Sequence, residues 1–531
     1  MNSDPAKIIS KNSKTASPLF QIIILTLATF MATLDSTVAN VALPKMSGSL
    51  SVTPNEVIWV ISSYIVANAA ILPISGWLAT YLGRKRFYMI CVAGFTVASI
   101  LCGLSTNLQT LIAARILQGL FAGGLAPTEQ AIIADITPRE KLGRAFSIYA
   151  MGVSLAPILG PTLGGYITDT LSWHWIFFIN LPIGVISLLL TYVFVNETEQ
   201  SIKATEKMRR EGKGIDYIGI LLFITGIAAF ELVMDKGAEE GWLESDFILL
   251  MASYSFLSLL IGTTWEYYRD SPAVNIMMFR DKAFSGAVIL ITVSSFVLSG
   301  TVFLVPYMTQ ILLGYTAMNA GLVGLPATIV QMFMFQIAGY LSDKYDIRKI
   351  IFAGLLLSIF ANIYFLTLNL DASFYDIALG RVFMTIGIGF LGTSINTAAY
   401  YTVKPEDNNS ASALLNLARN MGMSLGVAMT STFLVIRTKV YSANMNDHLS
   451  VLNPNYTAAI DKLSQTFKYQ GLNADQSVGA ANNVYQHIIF KQASMNSILD
   501  AFYIYAVLFA VIIPCIFLLK SKKAAENSNG R

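Results

Sequence analysis

Charge is scarce in this chain. Only 13% of its 531 residues are Asp, Glu, Lys or Arg, while 54% are hydrophobic and mean hydropathy is positive. That balance excludes an ordinary water-soluble globule, in which about a quarter of residues are charged. The net charge of +3 is too small to give a basic face for nucleic acid. Cysteine is nearly missing, and three thiols build no disulfide framework. Cys91 and Cys102 share one apolar run, but a helix would separate them by about 16 Å, beyond bridging distance. Histidine occurs at 174, 448 and 487 only, so no metal-ligand cluster forms, and "GLVGLP" lacks the lysine of a phosphate loop. No nucleophile–base pair stands out either. These absences predict no metal, no cofactor and no enzyme, and leave an ion gradient rather than ATP as the energy source. The apolar run after Pro18 is too long for a signal-peptide core and shows no small-residue cleavage site before Asp35, so it is expected to be a retained first span.

Long apolar runs are abundant. Stretches of the roughly 20 residues that cross about 30 Å of hydrocarbon recur along the whole chain. Fourteen are expected, at 20–43, 56–80, 87–105, 109–135, 143–168, 174–195, 215–235, 246–266, 284–312, 319–341, 349–369, 374–402, 411–436 and 498–519. An even count places both termini on one side. On that side fall Arg84, Lys85 and Arg86, then Arg139, Lys141 and Arg144, then Lys203 to Lys213, then Lys344, Arg348 and Lys349, and the tail lysines 520, 522 and 523. Opposite turns are poor in Lys and Arg, so the basic side is expected to be the cytoplasm. The exception, 438–497, belongs to the long loops that this rule exempts.

Two turns resemble each other: "GWLATYLGRKR" from Gly76 and "GYLSDKYDIRK" from Gly339, with Lys85-Arg86 in register with Arg348-Lys349. Each joins the second and third spans of a six-span unit, and Arg115 and Arg381 open corresponding fourth spans. A parallel repeat of two six-helix halves is common in secondary transporters, whose site lies between the halves near the midplane. Chance similarity of glycine-plus-basic turns is the competing reading. The expected division is a tail at 1–19, a first six-helix half at 20–195, a linker with two inserted spans at 196–283, a second half at 284–519 containing the outer loop 438–497, and a tail at 520–531.

"LDSTVANVALP", "GWLATYLGRKR", "RILQGLFAGGLAPTEQ" and "GVSLAPILGPTLGGYI" resemble, in order, the consecutive signature motifs of the major facilitator superfamily. With "WHWIFFINLPIG" and fourteen spans, the chain is similar to the EmrB/QacA-type drug:proton antiporters over essentially its whole length. "LLGYTAMNAGLVGLP" and "LLNLARNMGMSLGVA" fit as well. The resemblance implies an all-α major facilitator fold of two six-helix halves plus two inserted helices, and a proton-driven exporter of hydrophobic or cationic compounds in the inner membrane, with both termini cytoplasmic.

Single residues carry their own physics. Asp35 falls about 13 Å, and Arg115 about 9 Å, below the outer surface. Charges at such depth face a partner or a water-filled cavity. A carboxylate there can exchange a proton as a positive neighbour comes and goes; the alternative is that Asp35 only pairs with a neighbouring helix. Arg115, Gln118, Ala122 and Glu129 share one helix face, expected to line the cavity. Glu129 is assigned either to proton coupling or to an inner-gate network. Gly152, Ala156, Gly160 and Gly164, every fourth residue, with Pro157 and Pro161, invite close helix approach and bend the span. By resemblance this is the antiporter motif, packing the two halves and limiting proton leak. Where the family usually has aspartate, Thr80 stands, whereas Asp343 keeps the acid in the second half. Gly76, Gly83 and Arg84 join these as gating residues, and Arg381 and Arg419 are expected to bond backbone carbonyls across helices. Glu231 and Asp235 sit one turn apart at the outer end of the inserted pair, either to attract cationic substrates or, as carboxylates near an interface usually are, solvated.

Trp59, Tyr64, Phe303, Tyr307, Met332 and Met334 suit a cavity for bulky apolar substrates, though such residues also face lipid. In 438–497, two amphipathic helices are expected, the second running into the last span. By resemblance, this region docks a periplasmic membrane-fusion adaptor leading to an outer-membrane channel; the other reading is a lid. Other partners are small-molecule substrates, protons and the lipid bilayer. Export of one endogenous metabolite, such as a siderophore or fatty acid, is the second hypothesis, and a non-transporting receptor or scaffold the third.

Overall fold

The computed structural model describes residues 17–210, 216–269, 272–447 and 454–520. The ends of both expected tails, residues 211–215 of the basic stretch and 448–453 of the outer loop lie outside the described residues. All regular elements within them are helices.

Fourteen helices are long and apolar enough to cross a membrane. Numbered with two further helices in chain order, the first half comprises α1 (Pro18–Leu50), α2 (Pro54–Leu82), α3 (Arg84–Gly103), α4 (Leu108–Ile136), α5 (Arg139–Thr170) and α6 (Trp175–Phe194). The amphipathic α7 (Glu199–Arg210) leads to the inserted pair α8 (Tyr217–Lys236) and α9 (Asp246–Tyr267). The second half follows as α10 (Lys282–Leu312), α11 (Met318–Lys344), α12 (Ile347–Phe365), α13 (Phe374–Thr402), α14 (Pro405–Asn446) and α16 (Ala474–Leu518), with α15 (Pro454–Tyr469) before the last. All fourteen expected runs are found. As expected, the second amphipathic helix runs into the final span, the two forming one continuous rod.

The ends that carry Arg84, Arg139 and Lys344 form the basic end of the bundle. There the halves interlock. Helix α5 packs on α11, and α2 and the second part of α4 pack on α14. A Cβ on Gly76 would stand 2.7 Å from the carbonyl oxygen of Asn409, and one on Gly339 would stand 2.6 Å from that of Gly143. The two repeated turns thus do the same thing in mirror fashion, each lying against a helix of the other half. Gly83 has φ +93°, which side-chain-bearing residues rarely adopt, and ends α2 so that Arg84 can begin α3 at once.

The small-residue stripe is corrected. Gly152 faces Thr26, Gly160 faces Thr37 and Gly164 faces Val38, all on α1 of the same half. Pro157 and Pro161 are exposed beside the break in α5 at Leu155. The stripe therefore packs within the first half, and the contact of α5 with the second half is made lower down, at Gly143 and Ser147. Ser147 lies 3.4 Å from Gln336 of α11.

Opposite the basic end, α14 and α16 run side by side. Arg437 pairs with Asp500 at 2.5 Å, Tyr441 donates to the same carboxylate, and Gln486 donates to Asn446. Helix α15 lies on α16, where Tyr456 donates to Asn482 and its ring meets Tyr485 edge-on.

Candidate functional site

Asp35 sits halfway along α1 and is 1% exposed. Its Oδ2 accepts from Arg115 Nη1 at 2.5 Å, and its Oδ1 accepts from Gln118 Nε2 at 3.0 Å and Asn180 Nδ2 at 2.7 Å. Arg115 and Gln118, three residues apart, project from one face of α4. The arginine is held from several sides. Its Nε donates to Val60 O of α2 (3.0 Å), Nη1 also donates to Gln118 Oε1 (2.7 Å), and Tyr64 lies 4.3 Å from the guanidinium carbon. Asn180 opens the long part of α6 and donates to Ser99 Oγ of α3 as well, which donates on to Phe177 O. Three helices thus meet at one carboxylate, and two more join through Arg115 and Asn180.

Arg115, Gln118 and Asn180 are fully buried. In this low-dielectric setting, taking the charge from either member of the pair leaves the other uncompensated, which costs about 3–5 kcal/mol. Arg115 Nη2 and Asn180 Oδ1 are buried without a hydrogen-bond partner, so both residues retain capacity to re-pair.

Several cavity assignments are revised. Gln118 and Tyr64, 5% exposed, belong to the Asp35 cluster and not to a cavity wall. Trp59 turns to α8, with Lys236 Nζ 5.5 Å above its ring. Phe303 and Tyr307 stack at 6.3 Å and are half-buried. Glu129 is also buried. It accepts from the backbone N–H (3.1 Å) and hydroxyl (2.5 Å) of Thr29, joining α4 to α1. Beside it, Gln130 and Asn416 exchange amide hydrogen bonds across the halves at 3.0 and 3.4 Å. Arg419 donates to Asn416 (2.8 Å) and Asn396 (2.9 Å), to side chains and not to the expected backbone carbonyls. Arg381 Nε is buried without a partner.

A second cluster closes the basic end. Arg84 forms a buried ion pair with Asp135 and donates to Pro405 O at 3.0 Å; Asp135 also accepts from Asn408 at 2.6 Å. Arg139 donates to Tyr401 O and Val403 O. Asp343 accepts from Gly143 N at 2.8 Å and pairs with Arg144 at 3.4 Å, at the positive end of the first turns of α5. Thr80 accepts from Asn409 at 2.8 Å, a neutral contact where an acid was the familial expectation. Of the basic turn, Arg84 is buried, Lys85 reaches Tyr192 O, and exposed Arg86 is left as an anchor. Sequence reasoning missed Asn180, Ser99, Asp135, Asn408, Gln130 and Asn416. Uncharged amides in apolar runs were the available signal, and "FFINLPIG" contains one.

Two packed six-helix halves, the first holding a buried intramembrane ion pair, define a membrane transporter. The chain belongs to the Major Facilitator Superfamily, whose pattern matches residues 25–427. It is 32% identical to the fatty acid resistance protein FarB of Neisseria gonorrhoeae over 494 residues, covering 93% of this chain and 94% of that one. It is 31% identical to the multidrug export protein EmrB of Escherichia coli K12 over 516 residues, 97% and 98% of the two chains. Among solved structures, the proton:xylose symporter XylE aligns with a TM-score of 0.60 at 13% identity, covering 97% of this chain and 99% of that one, a likeness of fold.

Proposed function

We propose that this transporter is a proton-driven antiporter that exports hydrophobic, often cationic, toxic compounds across the inner membrane by alternating access of its two halves. The observation that carries the reading is the Asp35 carboxylate, buried mid-membrane and held by one cation and two amides. Protonation weakens its hold on Arg115, so α1, α4 and α6 can change their mutual packing with proton occupancy. Charge asymmetry supports a cytoplasmic basic end. With that end shut by Arg84, Asp135, Arg139 and Asp343, the described arrangement fits an outward-facing state of the proposed cycle. Phe303 and Tyr307 are candidates for contact with an apolar substrate. Similarity to a fatty acid resistance protein supports a second cargo class, long-chain carboxylates. The projection formed by α14, α15 and α16 is a surface suited to a periplasmic adaptor.

The test is Asp35→Asn, which keeps the side-chain shape and one acceptor oxygen but cannot exchange a proton. In proteoliposomes with an imposed pH gradient, tetraphenylphosphonium and a long-chain fatty acid serve as the two probes. The variant should still insert and fold, with a lower thermal midpoint because Arg115 loses its counter-charge, but lose gradient-driven flux by about 100-fold, as expected when a proton-transfer group contributes 10²–10⁴. Equal coupling in both proteins removes Asp35 from the mechanism.

A further inference from the structure

Helix α8 of the inserted pair brings two carboxylates to the seam between the halves. Asp235 accepts from Ser62 of α2 at 2.6 Å. Glu231, one turn earlier, accepts from Ser424 of α14 at 2.5 Å. Just beyond, Trp242 donates its indole N–H to Thr432 of α14 at 2.8 Å. One inserted helix is thus bonded to both halves. At the basic end α2 and α14 touch directly, through Gly76, Thr80 and Asn409. Ser62 lies about 21 Å along α2 from Gly76, and Ser424 about 22 Å along α14 from Asn409. At that height the two helices are linked through α8.

The expectation that Glu231 is solvated is overturned, because it is only 2% exposed. Its Oε2 takes the Ser424 hydroxyl, and its Oε1 is buried without a hydrogen-bond partner. The charges around it are otherwise engaged. On α8 itself, Lys236 bonds Glu239 at 2.8 Å and lies over Trp59, and Asp235 is a like charge. On α14, Arg419 is bound to Asn416 and Asn396. On α2 the facing polar group is Ser62, and on α9 the acids Asp246 and Glu266 stand near the two ends, Glu266 accepting from Val274 N. Among the described residues, no ion pair compensates Glu231. An ionised carboxylate with one oxygen unpaired in so dry a place is far costlier than the neutral acid.

We propose that Glu231 is a second proton-binding site of the transport cycle, occupied while the basic end is closed. When α2 and α14 close on one another at the level of Ser62 and Ser424, they displace α8. The Glu231 O–H bond then breaks, the proton passes to water, and the carboxylate is left hydrated. This rests on the alternating-access reading above, but its readout does not depend on transport.

The experiment is infrared difference spectroscopy of the purified full chain in liposomes, reading the C=O stretch of protonated carboxyl groups. Glu231→Gln should remove one component of that band, Glu231→Asp should shift it, and Asp35→Asn should leave it in place. Thr80→Cys with Asn409→Cys, oxidised to lock the basic end shut, should strengthen the same component relative to the reduced protein. A band unchanged by Glu231→Gln overturns the proposal. So does a component of equal strength in locked and reduced protein, which would mark a static proton. Wild-type flux in Asp35→Asn would sink the antiporter reading separately, leaving this result standing on its own.

Discussion

At the scale of single residues, Arg115 ties three helices together, because its nitrogens serve Val60, Gln118 and Asp35 at once. A lysine has one nitrogen and no planar fork, and cannot hold all three. Arg115→Lys should therefore lower transport to about a tenth or less and lower the thermal midpoint, since each lost hydrogen bond to a charged group costs about 1.5–3 kcal/mol. Paired flux and melting measurements check this, and full activity would show that positive charge alone suffices. Asp35, Arg115 and Gln118 were legible in the sequence because charge and a nearby amide in a long apolar run demand a partner. Asn180 was not. Its part depends on how α6 is rotated against α1, which no local pattern encodes. Glu231 was misjudged for a similar reason. Counting residues to a helix end gives depth, whereas its burial comes from α2 and α14, distant in sequence.

At the scale of elements, helix existence was readable throughout, because a bilayer imposes length and apolarity on every crossing segment. Contacts between elements were less so. The stripe Gly152, Gly160 and Gly164 announces close approach without saying to which helix, and α1 is the answer. Gly160→Val should accordingly disturb the packing of α5 on α1, driving a branched side chain into Thr37, with a loss of about 1–3 kcal/mol visible as a lower melting temperature. A different outcome belongs to α15. Replacing Tyr456 to Gln470 with a short Gly/Ser linker should leave flux in proteoliposomes largely intact, since none of the buried charge clusters lies there. It should remove resistance in whole cells if the projection docks an adaptor. A lid would lower both activities together, so their ratio decides.

At the scale of the whole molecule, the described hydrogen bonds that pass directly between the halves gather toward the basic end, at Arg84, Arg139, Asp343, Thr80 and Gln130. Asp343→Asn weakens one of these clasps, at a cost of about 1.5–3 kcal/mol. A cysteine placed at the fully buried Ser412 on α14 should then be alkylated about ten times faster by a small maleimide, and an unchanged rate would mean that the clasp does not govern opening. The continuous rod α16 has a mechanical consequence. Its leading part, Ala474 to Ser497, reaches about 36 Å beyond the start of the last apolar run, braced by α14 and α15 and rooted only in the second half. It is a pointer on a pivot: a tilt of about ten degrees swings its tip by about 6 Å for an arm of that length. On the proposed cycle, each turnover would be relayed along this arm as a sideways stroke, which a fluorophore pair at the tip would read.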